Sequence, residues 1–200
     1  MAHLIAITGG IGAGKSVVSR ILLSMGYRVF DCDSEAKAIM DADEAIKKRI
    51  ALEISEETIV GGSIDRARLA AIVFADERRL ALLNSIVHAA VRDRIEQWSA
   101  ETSGPAFVET AILYESGLNR HVAAEWRVEA PVELRISRVM ERNGMSRQQV
   151  LDRMASQNGC VPDGFIPPCR HIVNDGIAPV LPQVNAALRE LAACFRGLSD

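Results

Sequence analysis

The 200-residue chain predicts an α/β fold with a parallel sheet, and three observations lead there. Leu4-Ile5-Ala6-Ile7 is a short, wholly apolar run, as a strand covered on both faces requires. The glycine-rich segment behind it opens into Val17, Val18, Ile21 and Leu22 at helical spacing, and Gly26 closes that helix. Tyr27-Arg28-Val29-Phe30 then returns as a second strand, ending at Asp31-Cys32-Asp33, so the opening residues form a βαβ unit.

The remaining elements follow in order. From about Ser34 to Trp98 the periodicity is helical, with Leu80, Leu83, Val87, Val91 and Ile95 striping one long helix. Gly61-Gly62-Ser63 marks a turn before that helix. An all-helical insertion is the economical description of this stretch. Gly104-Pro105 breaks the chain, and Ala106-Phe107-Val108 is a third buried strand. Trp126-Arg127-Val128-Glu129-Ala130 is the fourth. A helix starts near Pro131, which suits a first turn, and stops at Asn143-Gly144. Ser146-Arg147-Gln148-Gln149 fits a capping box and begins the next helix, which runs towards Gln157. After a loop around Pro162, Asp163-Gly164 and Pro167-Pro168, His171-Ile172-Val173 is the last strand, and Asn174-Asp175-Gly176 turns it. Val180, Val184, Leu188, Leu191 and Phe195 stripe a C-terminal helix.

Composition narrows the function. A hydrophobic content of 48% fills one core, so a single domain with an insertion is expected. A net charge of −3 gives no polyanion-binding surface, and 4% aromatic residues supply no base-stacking platform; nucleic acid is not the expected partner. Cys32, Cys160, Cys169 and Cys194 show no metal-finger spacing and are expected as reduced, structural thiols. The apolar run at the N-terminus is too short for a signal sequence and nothing reaches a membrane span, so the expected location is cytoplasmic, without membrane partners. The expected assembly is a monomer or small homo-oligomer.

The chemistry begins at Gly9-Gly10-Ile11-Gly12-Ala13-Gly14-Lys15-Ser16, which matches G-x-x-x-x-G-K-[ST] at every fixed position. Glycines let backbone N–H groups turn inward around phosphate oxygens, and the following helix offers them its positive end. Gly10, Ile11, Gly12, Ala13, Gly14, Lys15 and Ser16 are therefore the nucleotide-binding candidates. Lys15 would reach the β and γ phosphates of ATP, and the Ser16 hydroxyl would ligate Mg²⁺. A dinucleotide reading fails, because G-x-G-x-x-G begun at Gly10 needs glycine where Lys15 stands.

Asp31 and Asp33 end the second strand, where open α/β sheets place ligand groups. Either carboxylate can orient or deprotonate an acceptor hydroxyl; alternatively Asp33 or Ser34 caps the next helix. Arg135, Arg138 and Arg142 share one helix face at i, i+3 and i+7, with Arg147 and Arg153 beyond Gly144. They suit an arginine lid that closes over phosphates, the other reading being a solvated face. Glu109 ends the third strand and either approaches the Mg²⁺ shell through water or is a plain strand-end carboxylate. His88 lies on the long helical stripe, as a packed residue or a functional one.

In this ordered combination the sequence resembles the dephospho-CoA kinase family, within the nucleoside-monophosphate-kinase-like P-loop group. The resemblance is carried by Thr8 to Ser16, Asp31-Cys32-Asp33 after Val29-Phe30, and Leu83-Asn84-Ser85-Ile86-Val87-His88. Arg138, Arg142, Arg153-Met154-Ala155-Ser156-Gln157 and Ile172-Val173-Asn174-Asp175-Gly176 continue it nearly to the end of the chain. It implies a P-loop NTP hydrolase fold with a parallel five-stranded sheet, a core of residues 1–33 and 104–200, a helical CoA-binding insertion at about 34–98 and an arginine lid at about 138–160. It implies ATP-dependent phosphorylation of the dephospho-CoA 3′-hydroxyl, the last step of coenzyme A synthesis. By position Asp33 would be the base, Lys15 and Arg142 would hold the transferring phosphoryl group with Arg138 in support, His88 and Glu109 would line the acceptor site, and Asn174 would border adenine. Two positions depart from the family pattern. Ala89 replaces the proline usual after the histidine, and Glu109-Thr110-Ala111-Ile112-Leu113-Tyr114-Glu115 replaces a V-P-L-L-x-E type segment. A GTP-dependent switch is excluded by the absence of both N-K-x-D and D-x-x-G.

Overall fold

The structure, a computed structural model, describes residues 3–157 and 165–196. Cys160, Pro162, Asp163-Gly164 and the far end of the expected lid lie outside the described residues. In chain order the elements are β1 (Leu4–Thr8), α1 (Lys15–Ser24), β2 (Arg28–Asp31), α2 (Cys32–Ala42), α3 (Glu44–Glu53), β3 (Ile59–Val60), β4 (Ser63–Ile64), α4 (Arg66–Phe74), α5 (Glu77–Ala100), β5 (Ala106–Glu109), β6 (Ala124–Glu129), α6 (Val132–Asn143), α7 (Arg147–Ser156), β7 (Cys169–Val173) and α8 (Val180–Arg196). They fall into two compact units, one of residues 1–29 with 102–200 and one of residues 30–101.

A five-stranded parallel sheet in the order β2-β5-β1-β6-β7 organises the fold. Strand β1 is central, with Ile7 in register with Glu109 of β5 on one side and Trp126 of β6 on the other. All five of its residues are buried, which explains a run without a polar alternation. The strand order reverses at β1, and in open parallel sheets the crevice at such a switch, beyond the carboxyl ends, is where ligands bind. The glycine loop leaves β1 at that point.

Within the first unit, Ile5, Ile7, Phe107, Trp126, Val128 and Ile172 pack from the sheet against Val18 and Leu22 of α1 and Val184, Ala187 and Leu191 of α8. Phe107 anchors this layer, in edge contact with Tyr27 at 5.6 Å between centroids and tilted against Trp126 at 5.0 Å. A smaller cluster joins α6 and α7 through Ile136, Val139 and Val150, with Ile11 of the glycine loop packed against it. Gly144, at φ 65°, ends α6 in the left-handed conformation, and the expected Ser146–Gln149 capping box starts α7.

The second unit is held by Ile46, Ile50, Ile54, Leu69, Val73 and Ile86. It is not wholly helical as expected. Ile59–Val60 and Ser63–Ile64 pair as a hairpin over Gly61 and Gly62, both at positive φ, as a two-residue turn of this kind demands. Two-residue strands are too short to show a period. An aspartate caps each of its four helices, Asp31, Asp43, Asp65 and Asp76 accepting from first-turn N–H groups of α2, α3, α4 and α5. Helix α5 runs unbroken through Ala89, where the resembling family carries proline and alanine is the best helix former.

Candidate active site

The glycine loop delivers an open helix N-terminus. Gly14 precedes α1 at φ 97°, no side chain caps the helix, and its first turn holds no acidic residue. A helix N-terminus without a side-chain cap, together with the helix dipole, is receptive to an anion. Lys15 folds back so that Nζ donates to the Gly9 carbonyl at 2.9 Å, and Ser16 is exposed beside it. These groups fit a nucleotide triphosphate with its Mg²⁺.

The loop is held from outside. A Cβ on Gly12, at φ 78°, would meet the Arg135 carbonyl oxygen at 2.5 Å, and one on Gly14 would meet Asn174 Nδ2 at 1.9 Å. Asn174 is buried and donates Nδ2 to the Ala13 carbonyl at 3.0 Å. Arg138 donates Nη1 to the Asn174 carbonyl at 3.0 Å and to Gly12 at 3.5 Å, and Nη2 to Asn174 Oδ1 at 3.4 Å. Arg135 donates Nε to the Ile11 carbonyl at 2.9 Å, and burial holds its pKa below the usual guanidinium value. The N–H of Ile11 donates to Gln157 Oε1 at 2.7 Å.

The arginines thus divide. Arg135 and Arg138, on the first turns of α6, brace the loop. Arg142 stands exposed near the C-terminus of α6, with Nε on Asn143 Oδ1 at 3.0 Å. Arg147 forms a two-bond pair with Glu133 at 2.7 and 2.8 Å, and Arg153 is exposed on α7.

Glu109 ends β5 and accepts from the buried Ser19 hydroxyl of α1 at 2.6 Å, which fixes its carboxylate beside the glycine-loop helix. In the second unit, Asp31 is the cap of α2, with Oδ1 accepting from the N–H groups of Asp33 at 3.0 Å and Ser34 at 3.2 Å. The capping task therefore falls on neither Asp33 nor Ser34. The Asp33 carboxylate is exposed in the first turn, and no hydrogen bond to it is made among the described residues. His88, half-buried on α5, has its pKa lowered, by burial first and then by the Arg92 charge.

Residues 3–160 match the family of dephospho-CoA kinases. A dephospho-CoA kinase of Bacteroides fragilis is 37% identical over 190 residues, covering 92% of this chain and 90% of its own. One of Porphyromonas gingivalis is 41% identical over 154 residues, 76% of each chain. The chain belongs to the dephospho-CoA kinase family. A Thermus thermophilus protein of known crystal structure superposes with a TM-score of 0.77 at 35% identity, covering 96% of this chain and 97% of its own. A Campylobacter jejuni dephospho-CoA kinase shares the fold at a TM-score of 0.64 and 21% identity, covering 96% and 98%. Being a kinase family, it implies use of ATP.

This dephospho-CoA kinase family member also carries site residues that sequence reasoning passed over. A cavity of about 250 Å³ opens beside Gly9 and Gly10, lined also by Tyr114, Glu125, Arg127 and Arg135. Glu125 is completely buried, accepting the Tyr114 hydroxyl on Oε2 and Arg127 Nε on Oε1 at 2.7 Å. The signal was present in the sequence: Glu125-Trp126-Arg127-Val128-Glu129 alternates where a doubly covered strand should be apolar throughout. The bond of Ile11 to Gln157 left no such mark, because the two lie 146 residues apart. Among the described residues no helix is long and apolar enough to cross a membrane.

Proposed function

We propose that this protein transfers the γ-phosphoryl group of ATP to the 3′-hydroxyl of the dephospho-CoA ribose, giving CoA and ADP. The observation that carries the reading is the uncapped N-terminus of α1 behind the glycine loop, with Lys15 and Ser16 on its first turn, in a chain of this family. Backbone N–H groups of that loop and Lys15 bind the phosphates, and Ser16 would hold Mg²⁺, which neutralises charge between the β and γ groups when bound. Asp33 takes the proton of the attacking hydroxyl; its carboxylate is free of the capping task that Asp31 performs. Arg142, exposed at the end of α6, stabilises charge on the phosphoryl group in flight, while Arg138 supports it by fixing the loop. His88 and Glu109 line the acceptor side, and Asn174 borders the nucleotide through its hold on Ala13. Catalysis of this kind is mostly positioning and charge stabilisation.

The test is ADP release with ATP-Mg²⁺ against dephospho-CoA, AMP, CMP, shikimate and water. Turnover confined to dephospho-CoA is expected. In Asp33→Asn, kcat should fall by about 10²- to 10⁴-fold while ATP affinity stays near that of the wild type, the scale of a lost general base. Robust turnover with another acceptor would overturn the substrate, and an active Asp33→Asn enzyme would overturn the base.

A further inference from the structure

The Glu125–Arg127 pair is costly as a purely structural device. A fully buried carboxylate loses its hydration, and mutual attraction within such a pair commonly returns no more than a well-packed apolar pair would. Trp126 and Val128, on the same strand, show the apolar solution in the α1–α8 layer. The opposite face of β6 instead carries a carboxylate with both oxygens occupied and a guanidinium fixed by its Nε edge. No carboxylate among the described residues takes the Nη1 and Nη2 groups of Arg127, whose side chain is 35% exposed. Those two groups form the edge that engages phosphate in bidentate fashion. Tyr114 keeps the arrangement in one protonation state. Its pKa is pushed up to about 12, by burial first and then by the Glu125 carboxylate, so the phenol remains the donor.

The location matters as much as the charge. Arg127 is in register with Thr8, the last residue of β1, and lines the cavity together with Gly9, Gly10 and Arg135. Two guanidinium groups therefore border one cavity of about 250 Å³ at the start of the phosphate loop, with the carboxylates of Glu115 and of Glu125, the latter occupied by Tyr114 and Arg127, also on its wall. Arg135 is tied by Nε to Ile11 as Arg127 is to Glu125.

We propose that Arg127 is an anion-binding specificity residue, which with Arg135 receives a phosphate group of the acceptor in this cavity, and that Glu125 is its positioning residue. The proposal rests on the phosphotransfer reading above. It makes the enzyme select acceptors by a phosphate remote from the reacting hydroxyl, the binding energy being used to align that hydroxyl.

Arg127→Gln, Arg127→Lys and Glu125→Gln test it by steady-state kinetics, varying dephospho-CoA and ATP separately at two salt concentrations. In Arg127→Gln the KM for dephospho-CoA should rise about tenfold or more, with the KM for ATP unchanged, the scale of one charge-assisted hydrogen bond. The rise of that KM with salt should flatten, since a screened charge has gone. Arg127→Lys should recover part of the affinity, and Glu125→Gln should raise the same KM a few-fold while keeping the buried shape. A raised KM for ATP with that for dephospho-CoA unchanged would overturn the acceptor assignment. An unaltered salt dependence, or equal loss in both KM values with a lowered melting temperature in Glu125→Gln as well, would reduce the pair to a structural element. Absence of dephospho-CoA turnover in the wild type would instead remove the reading beneath the proposal, before any variant is compared.

Discussion

Asn174 joins the strand β7 side of the fold to the phosphate loop, and replacing it measures what that junction is worth. Its amide donates to the carbonyl of Ala13, which is 1% exposed, while Asn174 itself is 9% exposed. Asn174→Ala removes one buried hydrogen bond, worth about 1 kcal/mol net, and leaves a desolvated carbonyl at a further cost of about 1–3 kcal/mol. The 3.4 Å contact from Arg138 is long and adds little, and the Arg138 bond to the Asn174 main chain survives. A loss of about 2–4 kcal/mol is therefore expected, about 4–16 °C in melting temperature for a chain of this size. Urea unfolding followed by Trp126, which is buried in the core, reads it directly. Asn174→Asp separates the two partners: it keeps an acceptor for Arg138 but turns an oxygen towards Ala13. It should be at least as unstable as Asn174→Ala, and ATP should protect both variants less than the wild type. An Asn174→Asp protein as stable as the wild type would refute the reasoning, since the Ala13 bond would then carry no weight.

Two further outcomes follow from particular side chains. Asp31→Asn should leave stability and turnover near wild type, because asparagine caps as well as aspartate, whereas Asp31→Ala should cost about 1 kcal/mol in a urea titration; a collapse of kcat in Asp31→Asn would make Asp31 a reacting group. His88 has a folded pKa below its ordinary 6.5, so on acidification the unfolded chain takes the proton first and stability falls from about pH 6.5 down to the folded value, levelling below it. His88→Gln should flatten that slope in urea midpoints taken between about pH 7.5 and 5, and an unchanged slope would exclude His88 as its source.

What was legible in the sequence was local. The β1–loop–α1 unit declared itself because its glycines, lysine and serine stand within one turn of chain, and the capping box of α7 because its two members are three residues apart. The cap of α2 was not settled by the sequence, where Asp33 or Ser34 stood as the capping alternative and the structure uses Asp31. Strand β2 passes into that helix with no loop between, so Asp31, Asp33 and Ser34 all compete as caps until the backbone is known. Bonds that close the site were invisible for a different reason. Ile11 to Gln157 spans 146 residues and Ala13 to Asn174 spans 161, and no periodicity encodes such a meeting. Glu125 and Arg127 lay between these cases: their charges broke the expected strand pattern, but their partner Tyr114 belongs to a loop, and only the fold supplies it.

The same contacts bound how the arginine segment can move. Arg135 and Arg138 tie the first turns of α6 to Ile11, Gly12 and Asn174, so that part of α6 cannot shift without carrying the phosphate loop with it. Beyond Gly144 the constraint is weaker but present. Swinging α7 away breaks the 2.7 Å bond from Ile11 to Gln157 and uncovers Val150, which is completely buried against Ile136 and Val139. One hydrogen bond at about 1 kcal/mol and one valine at about 1.5–3 kcal/mol put that opening at roughly 2.5–4 kcal/mol, a population of about one percent or less. Arg142 is exposed near the end of α6, its Nε on Asn143, and Arg153 is exposed on α7. Charge can thus be brought to a transferring group by rotation of long side chains over a backbone already in place, and the rigidity of α6 becomes what keeps the loop formed between turnovers.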